Sequence, residues 1–595
     1  MATAWWGGMR TWIAAIVAMA FIIPALSGAD DGDEGRQRLE LPLGQPVAPL
    51  ALMLRDPIAP LGEGDASVLD TGKTLPSGFA KGFIDRYVDR IEAWHGEHSN
   101  PPEGLIPWLK TVPKLRRDFW LALSPYDDAT AALGILDHLR KKDAKRLDDF
   151  RHLAIALAVV HDQPKNTNHS RRFSLWAVTD RQFGATLTVD ELWDYFANPA
   201  NQGRFIFKPR DLVWPVMVHL VDLDVSKAEV DWAMTTYGAN RRVDLEALYH
   251  DVPYDTAKLK TRGQRTTLGD RDYTLMNLRI FGDVCVGQGH YASRVAKIFG
   301  VPALKCVGEG RYGSASLHAW SGYLAAEGGK PVLKFTGRYS FDYYYLGIAC
   351  DPQVGLPVLD REIELLYAGA AGNFDGYRDA AALTRAALAV AKSQPAAAAG
   401  LVREALRLNP QVEYAWRLAM RLAREGVIPR SEADKWFKVL CDTLVPRFPD
   451  LGAWCFPDYL ASIPASDDAA RQAAYRTMYA AFGRTQRPDL QIAVRLDQID
   501  LLAKAGRSKE VVQLAFEAVG PNIKQGSLVM PLVQRLVELS VEFAKSDAGF
   551  RVDVVRKSLG NYSNEFPKAR GDDLSPAWVE YQKLLDRLAP AQVGR

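Results

Sequence analysis

The stretch Phe281-Gly282-Asp283-Val284-Cys285-Val286-Gly287-Gln288-Gly289 decides the reading of the chain, because it sets a cysteine at the start of a helical pattern. Tyr291, Val295 and Ile298 follow at i, i+4 and i+7, one face of a helix, and Gly300 supplies the stop. A cysteine at a helix N-terminus meets unpaired backbone N–H groups and the positive end of the helix dipole. Both favour the thiolate, which is the nucleophilic form.

Downstream, Val301-Pro302-Ala303-Leu304-Lys305-Cys306-Val307 reads as a short strand, and Gly328-Gly329 as a hairpin turn into Val332-Leu333-Lys334-Phe335. His318, in Ser316-Leu317-His318-Ala319-Trp320, therefore lies on a strand, with Trp320 on the same face to wall the imidazole from water. A thiol at a helix start facing an imidazole on a neighbouring strand suits nucleophilic catalysis. The base takes the proton, the thiolate attacks a carbonyl and an acyl-enzyme forms. His290 is a rival base, but at i+5 on the helix it points away from the cysteine.

The ordered combination of Gly-x-x-Cys, a helix, Phe299-Gly300-Val301-Pro302-Ala303, a strand and His318-Ala319-Trp320 resembles the transglutaminase-like core, a branch of the papain-like fold, over roughly residues 270–345. The resemblance implies a Cys-His-Asp triad for acyl transfer at glutamine or other amide carbonyls, with an amine or water as acceptor. Some relatives use calcium, but the residues themselves imply no metal or organic cofactor. The family carries its Asp on the strand after the histidine, and here the chain departs from the pattern. Counting from the turn sets Arg338 and Tyr339 opposite His318. Asp342, reaching back through a bend, is the expected orienter, and Asp351 the other candidate. An incomplete triad, in a fold that binds peptide without cutting or joining it, is the remaining reading.

Around this centre stand 595 residues with formal net charge +2 and 48% hydrophobic content, a balance that points to neither nucleic acid nor an acidic polymer. Residues 1–29 carry Arg10, an apolar run from Trp12 to Ile23 and a small-residue exit, the pattern of a secretory signal peptide. Export to the periplasm, the cell envelope or the medium follows, with membrane attachment only if the segment stays uncleaved. Of five cysteines, pairing Cys441 with Cys455 and Cys306 with Cys350 leaves Cys285 free. The close pair His95 and His98 lacks further ligands at metal spacing.

Residues 30–75 read as an extended leader. Residues 76–165 read as a helical domain, with Phe79, Phe83, Tyr87 and Ile91 every four residues. Residues 166–370 form the expected α+β domain; strands at Phe205-Ile206-Phe207 and Leu212 to Val221 either supply its sheet or form a small domain of their own, and a further strand follows at Ile363 to Tyr367. Residues 371–595 are helical in period throughout. Pairs such as Val494 to Ala505 and Lys509 to Val519 look like tetratricopeptide-type units, but no fixed repeat survives.

The fold class is thus α+β: a papain-like transglutaminase core, a helix packed on an antiparallel sheet, flanked by N-terminal helices and a C-terminal irregular α-solenoid or helical bundle. The expected function is exported thiol-dependent acyl transfer or amide hydrolysis on a protein or peptide, with Cys285, His318 and Asp342 as the site. The alternative, from a different class, is a non-catalytic peptide-binding or scaffolding protein of the cell envelope that meets partners through its C-terminal helices.

Overall fold

The computed structural model describes residues 68–69, 78–163, 184–238, 243–261, 263–309, 317–338, 347–485, 487–570 and 573–589. The signal-like segment and nearly all of the leader lie outside the described residues, as does Asp342. Among the described residues no helix is long and apolar enough to cross a membrane.

The protein is α+β and 67% helical, so its small antiparallel half-barrel sheet is a minority element to which the helices are fitted. Two compact units are present, one ending at Glu309 and resuming over Leu317–Ala419, the other taking in Met420 onward. In the first, the helix Phe79–His98 buries Phe83, Tyr87 and Ile91, the four-residue stripe read from sequence. It packs with Pro113–Ala122, which in turn meets the helix Arg151–Val160, buried from His152 onward. In the second, Pro488–Lys504 and Ser508–Asn522 turn through Gly506 at φ 70°. Ile499, Val511, Ala515, Val519, Leu532, Leu536 and Leu559 share that unit's core.

Three strand expectations are corrected. The run at Leu212 to Val221 contains the helix Trp214–Val221, and Ile363 to Tyr367 belongs to the helix Asp360–Ala370. Phe205-Ile206-Phe207 is an irregular bend, anchored by Ile206 N–H on the Phe299 carbonyl. Trp214–Val221 is apolar on every side because Pro215 through Val221 are all buried, and a short, uniformly apolar run carries no period that separates helix from strand. Pro215 fits the first turn, where its missing N–H has no partner to lose.

The sheet has the order β3-β2-β1-β4-β5 and is antiparallel throughout. Its strands are β1 Ala303–Glu309, β2 Leu317–Glu327, β3 Lys330–Thr336, β4 Ile348–Cys350 and β5 Pro357–Leu359. The β2–β3 hairpin turns at Gly328-Gly329, as the sequence indicates. The helix Cys285–Ile298 lies on β1 and β2. Gly289 permits the approach, since a Cβ there would stand 3.0 Å from the Trp320 carbonyl oxygen.

The proposed disulfides are also corrected, for all five cysteines are free thiols. Val307 pairs with Ile348, so Cys350 falls opposite Lys305, while Cys306 alternates to the other face of the sheet. Two sulfurs on opposite faces cannot be joined. Cys441 and Cys455, on successive helical segments, are buried as thiols.

Strand β3 stops pairing with β2 at Ser321↔Thr336, and Gly337 then takes φ 78°. A Cβ at Gly337 would stand 2.3 Å from the Tyr249 ring, so backbone conformation and space both require glycine. Gly337→Ala is expected to destabilise the protein by about 2–4 kcal/mol, read as a lower denaturant midpoint at unchanged m-value. An unmoved midpoint would show that the chain can leave β2 by another route.

Candidate active site

Cys285 is the first residue of its helix, and its entry is fixed from below. Gly282, at φ 82°, lets the chain turn against Pro253, and the bonds Asp283 N–H to Pro253 O and Asp255 N–H to Asp283 O tie the two segments together. The buried Asp283 carboxylate accepts from Lys258 Nζ at 2.6 Å, Tyr273 Oη at 2.7 Å and the Val284 backbone N–H at 2.8 Å. A carboxylate under the first turn of a helix is favoured by the helix dipole, and its pairing with an equally buried lysine limits the cost of desolvation.

The position of the sulfur follows from strand geometry. In an antiparallel sheet each residue aims its N–H and C=O at one neighbour, and successive residues alternate sides. Leu324 N–H goes to Pro302 O, just ahead of β1, so the odd residues of β2, Ala319 among them, face the β3 side. Because β3 has already left, Ala319 has no strand partner there. Its N–H is directed at the Cys285 sulfur, and its C=O accepts from Tyr249 Oη at 2.8 Å. Thiol and phenol thus stand in for the missing strand.

His318 precedes Ala319 and is buried. Its Nε2 lies 2.6 Å from the Gly337 carbonyl oxygen, an acceptor only, so Nε2 is the donor in this contact. The Trp320 indole lies 5.9 Å from the imidazole on the same strand face, and the Tyr249 ring 6.3 Å away. The sulfur contact at Ala319 N–H and the imidazole contact at Gly337 O therefore belong to one edge of β2, where β3 departs.

No carboxylate occupies the place of Gly337 O on the imidazole, and Asp342 cannot be placed because it falls outside the described residues. Asp351 is engaged elsewhere, accepting from Gln353 N–H and Val354 N–H in the turn after β4. Arg338, expected near the histidine by register, lies over the Trp320 and Phe335 rings and 3.9 Å from the buried Asp360 carboxylate. His290 is buried 5.4 Å from the Tyr273 ring.

The electrostatics differ from the expectation of a stabilised thiolate. Burial pushes the Cys285 thiol above its ordinary value, and the Asp283 carboxylate adds to the push. The N–H groups of Ala319, Val286 and Cys285 pull the other way without prevailing. The helix dipole was legible in the sequence, whereas the desolvation that outweighs it is a tertiary property. Tyr249 and Lys258 had no sequence signal, since each reaches its partner across a long stretch of chain. Asp283 sat in the quoted motif, unremarked because nothing local marks a carboxylate as buried.

Among the described residues no group of three or more His, Cys, Asp and Glu is placed to hold a metal ion. His95 and His98 are each bonded locally, to Ser99 Oγ and the Trp94 carbonyl. In comparisons with known proteins, no family model, no curated protein and no solved structure matches this chain.

A thiol held above its usual range predicts a distinctive alkylation profile. Iodoacetamide labelling of Cys285 in the native protein should accelerate about tenfold per pH unit from pH 7 to 9 without levelling, because the thiolate fraction is still rising there. The buried Cys306, Cys441 and Cys455 should label only after denaturation. A rate plateau near neutral pH would instead reveal a preformed thiolate.

Proposed function

We propose that this chain is an exported, transglutaminase-like thiol enzyme, with a papain-like core, that transfers acyl groups from amide carbonyls of a protein or peptide. What supports the reading is the approach of the Ala319 backbone, next to His318, to Cys285 at the edge β3 vacates, with the imidazole Nε2 donating to Gly337 O. The imidazole takes the thiol proton as sulfur attacks, and the S–C bond forms while the carbonyl electrons move to oxygen. Backbone N–H groups at the helix start steady that oxyanion, typically about 3–4 kcal/mol of barrier per donor. Collapse expels the amine, which takes the proton from the imidazolium. His318 then deprotonates an incoming amine or water, and the thioester is resolved.

Because the thiol is held protonated, proton transfer accompanies attack. Gly337 O orients the ring, and Asp342 is the proposed carboxylate that would further steady the imidazolium. The raised thiol and the carbonyl in place of a carboxylate also favour a second reading, a cell-envelope scaffold that cradles peptide without reacting, with partners on its C-terminal helices.

The test uses the full chain with a glutamine-containing peptide and a fluorescent primary amine, following both amine incorporation and ammonia release. Cys285→Ala and His318→Asn should each lower turnover by about 1,000-fold or more while the chain still unfolds cooperatively from a folded state, and Asp342→Ala should slow it less. Equal turnover in Cys285→Ala would end the enzyme reading. Peptide binding without either product would establish the scaffold.

A further inference from the structure

The last three helices of the second unit, Met530–Ser546, Val552–Tyr562 and Pro576–Arg587, leave a groove of about 630 Å³ between them. Val555 and Leu559 turn one face of the middle helix into the unit's core. On the adjacent face Val552, Asp553, Arg556, Lys557 and Gly560, at i, i+1, i+4, i+5 and i+8, line the groove. Phe550, Leu585 and Leu588 add apolar wall. An apolar groove between helices, edged by exposed charge, has the form that receives one face of a further helix.

Charge and shape on that face point to the same kind of occupant. Arg551 clasps the Asp553 carboxylate with two hydrogen bonds, at 2.8 and 2.5 Å, so that acid is already engaged. Arg556 is held by its Nε donating to the Leu585 carbonyl oxygen at 3.2 Å, and its terminal nitrogens have no partner among the described residues. Lys557 makes no ion pair or hydrogen bond among them either. Neighbours do not cancel the surplus, for from Ala544 to Gly560 and from Leu585 to Leu588 five cations stand against three carboxylates. Gly560 supplies an independent sign. It lies inside the helix, outside the left-handed region, and a Cβ there would meet nothing within 4 Å. Glycine in a helix interior costs about 0.5–1 kcal/mol relative to alanine, yet neither the backbone nor packing within the chain requires it here. Bare backbone in the groove leaves room for a side chain that arrives from outside.

We propose that this groove binds an acidic amphipathic helix of a partner protein, which seats a large apolar side chain against Gly560 and sets carboxylates on Arg556 and Lys557. The apolar side chain supplies burial, and the open guanidinium fork of Arg556 matches a carboxylate bidentately. Complementary charge steers encounter and rejects basic partners, while the apolar contact sets the lifetime of the complex. The groove lies within the second unit, so the proposal is independent of the chemistry at Cys285.

The test is fluorescence anisotropy of the full chain with a fluorescein-labelled peptide of about 16 residues that carries Leu at i, i+3, i+4 and i+7 among Glu residues. One control peptide replaces every Glu by Lys, and another replaces every Leu by Ala. The acidic amphipathic peptide should bind at least about tenfold tighter than either control and lose affinity as salt is added. Gly560→Leu, whose Cβ enters open space, should weaken binding about tenfold or more while cooperative unfolding and any turnover at Cys285 stay intact. Arg556→Gln combined with Lys557→Gln, both at the surface, should weaken binding about as much and flatten the salt dependence. Absence of binding, equal binding of the Lys peptide, or undiminished binding to Gly560→Leu would overturn the proposal. Dimerisation of the chain that Gly560→Leu abolishes would overturn it in favour of a second copy, and tighter binding to phosphatidylglycerol vesicles in favour of a membrane.

Discussion

The early end of one strand pairing governs the candidate site. If β3 continued beside β2 past Thr336, the N–H and C=O of Ala319 would be consumed in the ladder. Gly337 turns the chain away, and two backbone groups are left facing a gap in the interior, where unpaired polar groups are costly. The Cys285 sulfur and the Tyr249 hydroxyl fill that gap, and the carbonyl of the glycine that opens it fixes the His318 ring. Sheet termination, helix placement and imidazole contact are one arrangement.

The helix that delivers the cysteine is held by charge as well as by packing. Asp283 beneath its first turn is matched by Lys258, and Arg294 and Lys297 near its end are matched by Asp224 and Asp222. Ionic pairs this deep contribute little net stability against well-packed apolar groups, but breaking one leaves an expensive orphan charge. They fix one docking of the helix on the sheet and with it the place of Cys285.

Much of this was readable from local pattern. The helix from Cys285 to its glycine stop, the β2–β3 hairpin and the pairing of His318 with Trp320 on one strand face follow from periods of 3.6 and 2 and from glycine chemistry. The misreadings have separate causes. Trp214–Val221 is surrounded by protein, so its apolar residues follow no face, and the pairing of Cys306 with Cys350 overlooked that adjacent register positions alternate sides. The thiol's direction of shift was missed because the dipole acts locally, while desolvation depends on what folds over it.

The sequence by itself determined which residues start and stop the elements and that a thiol and an imidazole sit at the head of a helix and on a strand, because capping, turn chemistry and side-chain alternation act over a few residues. Tertiary structure alone decided that Ala319 would be left unpaired, that Tyr249 and Lys258 would arrive from distant segments, and that the thiol would be held protonated. Those outcomes depend on burial and on contacts between segments far apart in the chain, which no local pattern encodes.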